Sequence, residues 1–174
     1  MNIEAFYKIS YGLYLVCSGT NEKSSGYVSN TVFQVSSKPP QFAVSCSKNN
    51  MTAELIAESK VFSISVLEKD TKPGLIGLFG FKSGHNTDKF SAVNYFTGET
   101  GTPIVTDNTI AWFECKLIQS MDVGTHVLFI GEVINSELLN AEKEALTYSY
   151  YREVKRGIAP PNAPTYIAKD KSNL

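Results

Sequence analysis

Short runs rich in β-branched and aromatic residues, mostly of period two, recur six times in this chain and leave few folds open. They are Leu13–Ser18 (LYLVCS), Tyr27–Val35 (YVSNTVFQV), Gln41–Ser47 (QFAVSCS), Val61–Leu67 (VFSISVL), Ile110–Ile118 (IAWFECKLI) and His126–Ile134 (HVLFIGEVI). Turn-forming residues bound each run, so each reads as a strand. Gly131 inside the last predicts a bulge or a close backbone approach. Helical signals are sparse. Thr52–Ser59 has an N-cap candidate just ahead of it, and Lys72–Phe79 carries Pro73, suited to a first turn. Glu142–Arg156 is polar, tyrosine-rich and partly helical in pattern. Residues 157–174 hold Pro160, Pro161 and Pro164 and predict no regular element. Six strands and a few short helices in 174 residues make one mainly β domain, a closed or half-closed barrel.

Charge narrows the function. Sixteen basic and 17 acidic residues give a net charge of −1, so the chain lacks the positive field that nucleic-acid backbones require. No apolar stretch approaches the ~20 residues of a membrane helix, and none suits a signal peptide. Cys17, Cys46 and Cys115 are odd in number and far apart, without a Cys-x-x-Cys pair. With only His85 and His126 beside them, an ordinary zinc or iron site is not expected. The expected location is the cytoplasm.

Three segments offer chemistry. In Tyr27–Gln34, Asn30 and Gln34 face one way on a strand, and Ser29 and Thr31 the other. This is either an edge strand with solvated amides or a row of donors along a flat polar heterocycle. In Ser45–Thr52 (SCSKNNMT), Ser47, Lys48, Asn50 and Thr52 gather at a helix start, where unpaired N–H groups suit one phosphate. Ordinary helix capping explains the same residues. In Phe79–Phe90 (FGFKSGHNTDKF) glycines alternate with aromatic and polar residues, without Gly-x-Gly-x-x-Gly spacing. It is a loop that lays backbone against a planar ring, or a surface loop. Cys46 and His126 form a conceivable nucleophilic pair, but nothing local marks either as activated.

Taken together, YGLYLVCSG at 11–19, GYVSNTVFQVSSKPP at 26–40, SCSKNNMTAELI at 45–56, FGFKSG at 79–84 with DKF at 88–90, and GTHVLFIGEV at 124–133 resemble the flavin reductase-like family of FMN-binding split barrels. Within it the resemblance is to the flavoredoxin and NAD(P)H:flavin oxidoreductase branch, including the flavin domain of high-molecular-weight rubredoxins. The resemblance implies a Greek-key split β-barrel over residues 1–156 and a homodimer. The proline-rich tail over 157–174 carries Ile158 and Tyr166, which a solvated linker does not need, and is expected to pack extended on the barrel or partner; a disordered terminus is the alternative. FMN would be the bound cofactor and NADH or NADPH the hydride donor.

By motif, Ser29, Asn30, Thr31 and Gln34 would line the flavin ring, and Ser45, Cys46 and Ser47 would pass beside it. Lys48, Asn50 and Thr52 would hold the phosphate. Phe81, Ser83, Gly84 and Lys89 would close around the ring, ribityl chain or phosphate. His126 would stand near flavin and nicotinamide, and with Cys46 is the candidate for chemistry. Oxygenase-partner relatives often have Asp before this histidine and Arg in the phosphate loop. Thr125 and Lys48 stand there here, which points away from that branch. The implied activity passes electrons from NAD(P)H to free flavin, ferric complexes or a small redox protein such as rubredoxin. A rubredoxin acceptor is expected as a separate protein, because its four-cysteine module is not in this sequence. The alternatives are an electron carrier with little nicotinamide activity and a non-enzymatic ring-binding module.

Overall fold

The structure, a computed structural model, describes residues 2–20 and 22–166. Among the described residues nine strands run in chain order: β1 (Tyr14–Gly19), β2 (Ser24–Ser29), β3 (Val32–Ser37), β4 (Pro40–Ser47), β5 (Val61–Leu67), β6 (Tyr95–Thr97), β7 (Pro103–Val105), β8 (Thr109–Asp122) and β9 (His126–Leu138). The α-helices are α1 (Met51–Ser59), α2 (Pro73–Phe81) and α3 (Tyr148–Glu153). Seven strands form one antiparallel sheet in the order β2-β1-β5-β8-β9-β4-β3. The remaining two make the small β6–β7 hairpin.

The edge strands β2 and β3 are consecutive in the chain, so the sheet curls until its edges meet. Across that seam Tyr27 Oη donates to the Ser45 carbonyl at 2.9 Å, and Ser45 N–H donates to the Thr31 carbonyl at 3.2 Å. Tyr27–Val35, expected as one strand, is therefore two. Asn30 and Thr31 carry the chain from one edge to the other. The Ser29 hydroxyl accepts the Thr31 N–H at 3.3 Å, a local turn that competes with the ladder.

β8 and β9 extend beyond the expected runs. Their outer ends are exposed and continue because they pair with each other, not because they bury apolar side chains. Gly131 marks a close approach: a Cβ there would lie 2.5 Å from the Phe62 ring. The irregular register falls opposite it, between Leu117 and Gln119. The β6–β7 hairpin has strands of three residues, too short to show a period. It is tied down by the fully buried Glu114, which accepts from the N–H groups of Glu99 and Thr100 and from the Thr100 hydroxyl.

One apolar cluster fills the barrel, around Val16, Val44, Phe62, Ile64 and Phe129, with Ala53 and Ile56 of α1 packed into it. A second lies under α2 and α3, around Leu13, Leu67, Ile76, Phe79, Leu146 and Tyr151. α1 starts where the Asn50 side chain accepts the Thr52 N–H, and ends at Lys60 in the left-handed region (φ 61°). α2 opens with Pro73 at its first positions, as expected. Of the tyrosine-rich stretch only six residues form α3. Among the described residues no helix is long and apolar enough to cross a membrane.

Candidate functional site

The seam between β2 and β4 faces α2 across a cavity of about 260 Å³. Its floor is polar: Ser29 and Asn30 end β2, Ser45 and Ser47 end β4, and Asn49 and Asn50 lead into α1. Its far wall is the end of α2 and the loop after it, from Phe79 to Gly84. Tyr148 and Tyr151 of α3 close one side. The roof is the proline-rich segment of residues 158–165.

That roof is bonded down at three points. Tyr151 Oη donates to the Ile158 carbonyl at 3.3 Å, and Asn30 Nδ2 donates to Thr165 Oγ1 at 2.7 Å. His126 Nε2 lies 3.0 Å from the Asn162 carbonyl. A carbonyl only accepts, so Nε2 carries the proton, and in the neutral ring Nδ1 accepts from the Thr125 hydroxyl at 2.8 Å. The segment leaves α3 at Gly157, which lies so close to the Tyr151 ring that a Cβ would come within 2.1 Å of it.

The expected site residues divide. Ser29, Asn30, Ser45, Ser47, Asn50, Phe81, Ser83 and Gly84 all line the cavity. Thr31 sits half-buried on the seam beside Ser29 and the Ser45 carbonyl. Gln34 is exposed on β3, donating to the Ser36 carbonyl, because the break at Asn30–Thr31 uncouples it from Asn30. Cys46 points into the barrel core, fully buried. Thr52 is fully buried in the first turn of α1, and its hydroxyl has no partner among the described residues. Lys48 and His126 lie in a second cleft of about 620 Å³ on the other side of the roof. There Lys48 forms an exposed ion pair with Asp122, Nζ to Oδ2 2.5 Å. Lys89 is buried behind the cavity wall, donating to the carbonyls of Gly26 at 2.8 Å and Phe79 at 3.3 Å.

Besides Asn49 and Lys82, the cavity has contributors that the sequence reading missed. Asn162 and Thr165 come from a segment with no period to read. Tyr148 and Tyr151 had a weak signal, tyrosines three apart in a polar stretch. Ser25 is a further group of interest: its buried hydroxyl has no partner among the described residues and faces Gly84, whose Cβ, if present, would lie 2.1 Å away.

Burial sets the ionisation. It pushes the thiols of Cys17 and Cys46 up to about 12, and the Tyr27 phenol well above its ordinary value. At neutral pH Cys46 is therefore a neutral thiol. Burial brings the Lys89 amine down to about 8. It remains mostly charged at neutral pH, and among the described residues no carboxylate forms an ion pair with it.

The sequence pattern of the flavin reductase like domain matches residues 6–159. The chain is 47% identical to the ferric-chelate reductase (NAD(P)H) of Archaeoglobus fulgidus over 96% of this chain and 98% of that protein. It is 44% identical to the high molecular weight rubredoxin of Moorella thermoacetica over its full length and 77% of that protein. Among solved structures it resembles the FMN-binding protein of Thermus thermophilus, with a TM-score of 0.73 and 26% identity over 82% of this chain and 83% of that one.

Proposed function

The chain belongs to the flavin reductase like domain family, and on that premise we propose that it is an FMN-dependent oxidoreductase driven by NADH or NADPH. The observation that carries this reading is the cavity itself. Its polar floor faces an apolar wall, as a flat ring with one polar edge requires. One buried hydroxyl behind it, Ser25 next to Gly84, is uncommitted among the described residues. Buried polar groups rarely stay unpaired, so it marks a place where a ligand completes the bonding. Gly84 leaves its own wall without a side chain directly over Ser25. The residues present thus fit FMN.

When bound, FMN supplies the exchange of a hydride and the onward passage of electrons to an acceptor. The chain supplies the rest. Ser29, Asn30 and Ser45 orient the polar edge of the ring. Ser47, Asn50 and the start of α1 hold the phosphate, aided by the positive end of the helix, with Thr52 buried in the turn behind them. Ser83 and Gly84 close over the ribityl chain, and Phe81 over the ring. Thr31 fixes the seam from which Ser29 and Ser45 project. Lys48 and His126 face the second cleft, the place proposed for the nicotinamide nucleotide. There Lys48 meets nucleotide phosphate and His126 positions the nicotinamide. Cys46 packs beneath the floor as a neutral thiol. The barrel domain expected over 1–156 holds the flavin, and of the tail expected over 157–174 residues 158–165 cover the cavity, while 167–174 lie outside the described residues.

Three outcomes separate the readings. Purified protein is expected to be yellow and to bleach anaerobically on adding NADH or NADPH. Bound flavin that neither nicotinamide bleaches would make the protein an electron carrier. Failure to take up FMN at all would leave a non-enzymatic module. The relative named as a ferric-chelate reductase and the one named as a rubredoxin support ferric complexes and a small redox protein as acceptors. A cytoplasmic setting belongs to the same proposal, supported by three free, buried thiols.

A homodimer is also proposed. β3 is a sheet edge with Phe33 and Val35 exposed, and the β8–β9 ribbon exposes Ile118, Met121 and Val123. Exposed apolar residues on an unpaired edge favour association. Sedimentation at micromolar concentration is expected to give twice the 19.1 kDa chain mass, and a single-chain mass with flavin bound would exclude the dimer.

A further inference from the structure

We propose that the outer face of α2 is the docking surface for the electron acceptor, a small redox protein with an acidic surface. The inference rests on the reading of a small redox protein as acceptor and adds where it binds. All nine residues of α2, Pro73–Phe81, are apolar or glycine. A helix apolar on every side belongs where every side is covered. Here one side is: Leu75, Ile76 and Phe79 enter the second apolar cluster. On the other side Gly74, Gly77, Leu78 and Phe81 line a groove of about 810 Å³, closed opposite them by Val93 and Asn108. Phe81 is 47% exposed. A Cβ added at Gly74 or Gly77 would meet nothing within 4 Å, so the floor of the groove is open.

Charge chooses the occupant. Lys72 precedes α2 and Lys82 follows it, both line the groove, and among the described residues neither forms an ion pair. Asp107, the one carboxylate of the lining, is committed: its two oxygens accept the backbone N–H and the side-chain amide of Asn94, both at 2.9 Å. An apolar floor between two unpaired cations fits an acidic partner, because opposite charges steer the encounter and fix its orientation.

Position supports the same occupant. Phe81 and Lys82 line both the groove and the flavin cavity. A metal centre docked in the groove is separated from that cavity by the end of α2, and electron transfer weakens steeply with distance. Brief electron-transfer encounters bury little surface, so a groove of this size suffices. The surfaces proposed for the dimer, β3 and the β8–β9 ribbon, are other elements. The reaction balances with one NAD(P)H and two acceptors. The nicotinamide leaves oxidised, one proton goes to solvent, and two ferric centres take one electron each and become ferrous.

The test uses an acidic, iron-loaded rubredoxin, prepared as a separate protein, against wild type, Gly77→Glu and Lys72→Glu. Gly77→Glu sets a carboxylate on open floor and removes a glycine from a helix interior, so the fold is kept. Calorimetric binding of rubredoxin, which needs no turnover, is measured beside its reduction and that of ferric citrate. Wild type is expected to bind rubredoxin less tightly as ionic strength rises. Each variant is expected to lose about tenfold in affinity and to raise the KM for rubredoxin by a similar factor, with ferric citrate reduction and FMN affinity unchanged.

Rubredoxin binding and KM at wild-type values in both folded variants overturn the proposal. So does FMN-loaded wild type that nicotinamide bleaches but that binds no rubredoxin. A parallel loss of ferric citrate reduction would mean that the substitutions act on the flavin site, and a Gly77→Glu protein sedimenting at half the wild-type mass would mean that a second copy fills the groove; either overturns it. Wild type that takes up no FMN overturns the flavin reading instead, and calorimetry of rubredoxin on that protein still decides the docking surface.

Discussion

Gly84→Val is expected to weaken FMN binding by about 150-fold, which corresponds to about 3 kcal/mol. Even a single Cβ at this position would stand 2.1 Å from Ser25 Oγ and 3.4 Å from Met51 Sδ. The loop of residues 82–84 then moves away from β2 and from the start of α1. That separates Ser83 from Ser47 and Asn50 on the opposite side of the cavity. The distortion falls on a wall and not on the core, so thermal stability is expected to change little. Fluorescence quenching of added FMN measures the affinity directly. Gly84→Ala should lie between wild type and Gly84→Val, and Ser25→Ala on the Gly84→Ala background should recover part of the loss, because it removes the atom that clashes. Coupling between the two positions in that cycle identifies the contact as the cause. Wild-type FMN affinity in folded Gly84→Val would place the flavin away from this loop.

Removal of the roof is the second large effect. A chain ending at Arg156 is expected to fold, because both apolar clusters are complete without residues 158–166. It loses the cover that residues 158–165 give the cavity and the bonds to Asn30, His126 and Tyr151. Each buried methylene contributes on the order of 0.8 kcal/mol, so losing three or four such contacts weakens FMN by roughly a hundredfold. Reoxidation of the photoreduced flavin by oxygen should accelerate at least about tenfold, since the closed site no longer excludes solvent and oxidant. Freed from the Asn162 carbonyl, His126 Nε2 is open to the nicotinamide, so NAD(P)H affinity should change as well. Stopped-flow reoxidation and nicotinamide titration of the truncated protein read both. Wild-type reoxidation and nicotinamide affinity together would make the segment a spectator.

The tail docks for reasons its own sequence contains only in part. Pro160, Pro161 and Pro164 restrict the free chain, so less entropy is lost on docking. That much is local. Where it docks depends on Asn30, His126 and Tyr151, which lie 128, 32 and seven positions from Ile158. No local pattern encodes that meeting.

The sequence by itself determined the strands that bury a face, a helix opening just ahead of Thr52 and another with Pro73 in its first turn, and the gathering of Ser47 and Asn50 at a helix start. Each of these is a local consequence of side-chain period, backbone φ or capping, and needs no distant partner. Only the tertiary structure decided the rest. Closure of the barrel broke one apparent strand at Asn30–Thr31 and sent Gln34 to the surface while keeping Asn30 inside. The β6–β7 hairpin exists because a buried carboxylate 14 residues away, Glu114, satisfies its Thr100 turn. By motif Lys48 and Thr52 read as phosphate ligands, and Lys89 as a residue closing around the ribityl chain or phosphate. The fold gives them an exposed ion pair, an unpartnered buried hydroxyl and a buried ammonium. Their roles differ because solvent access and neighbours fix what a polar group can do, and both are properties of the assembled barrel rather than of the chain.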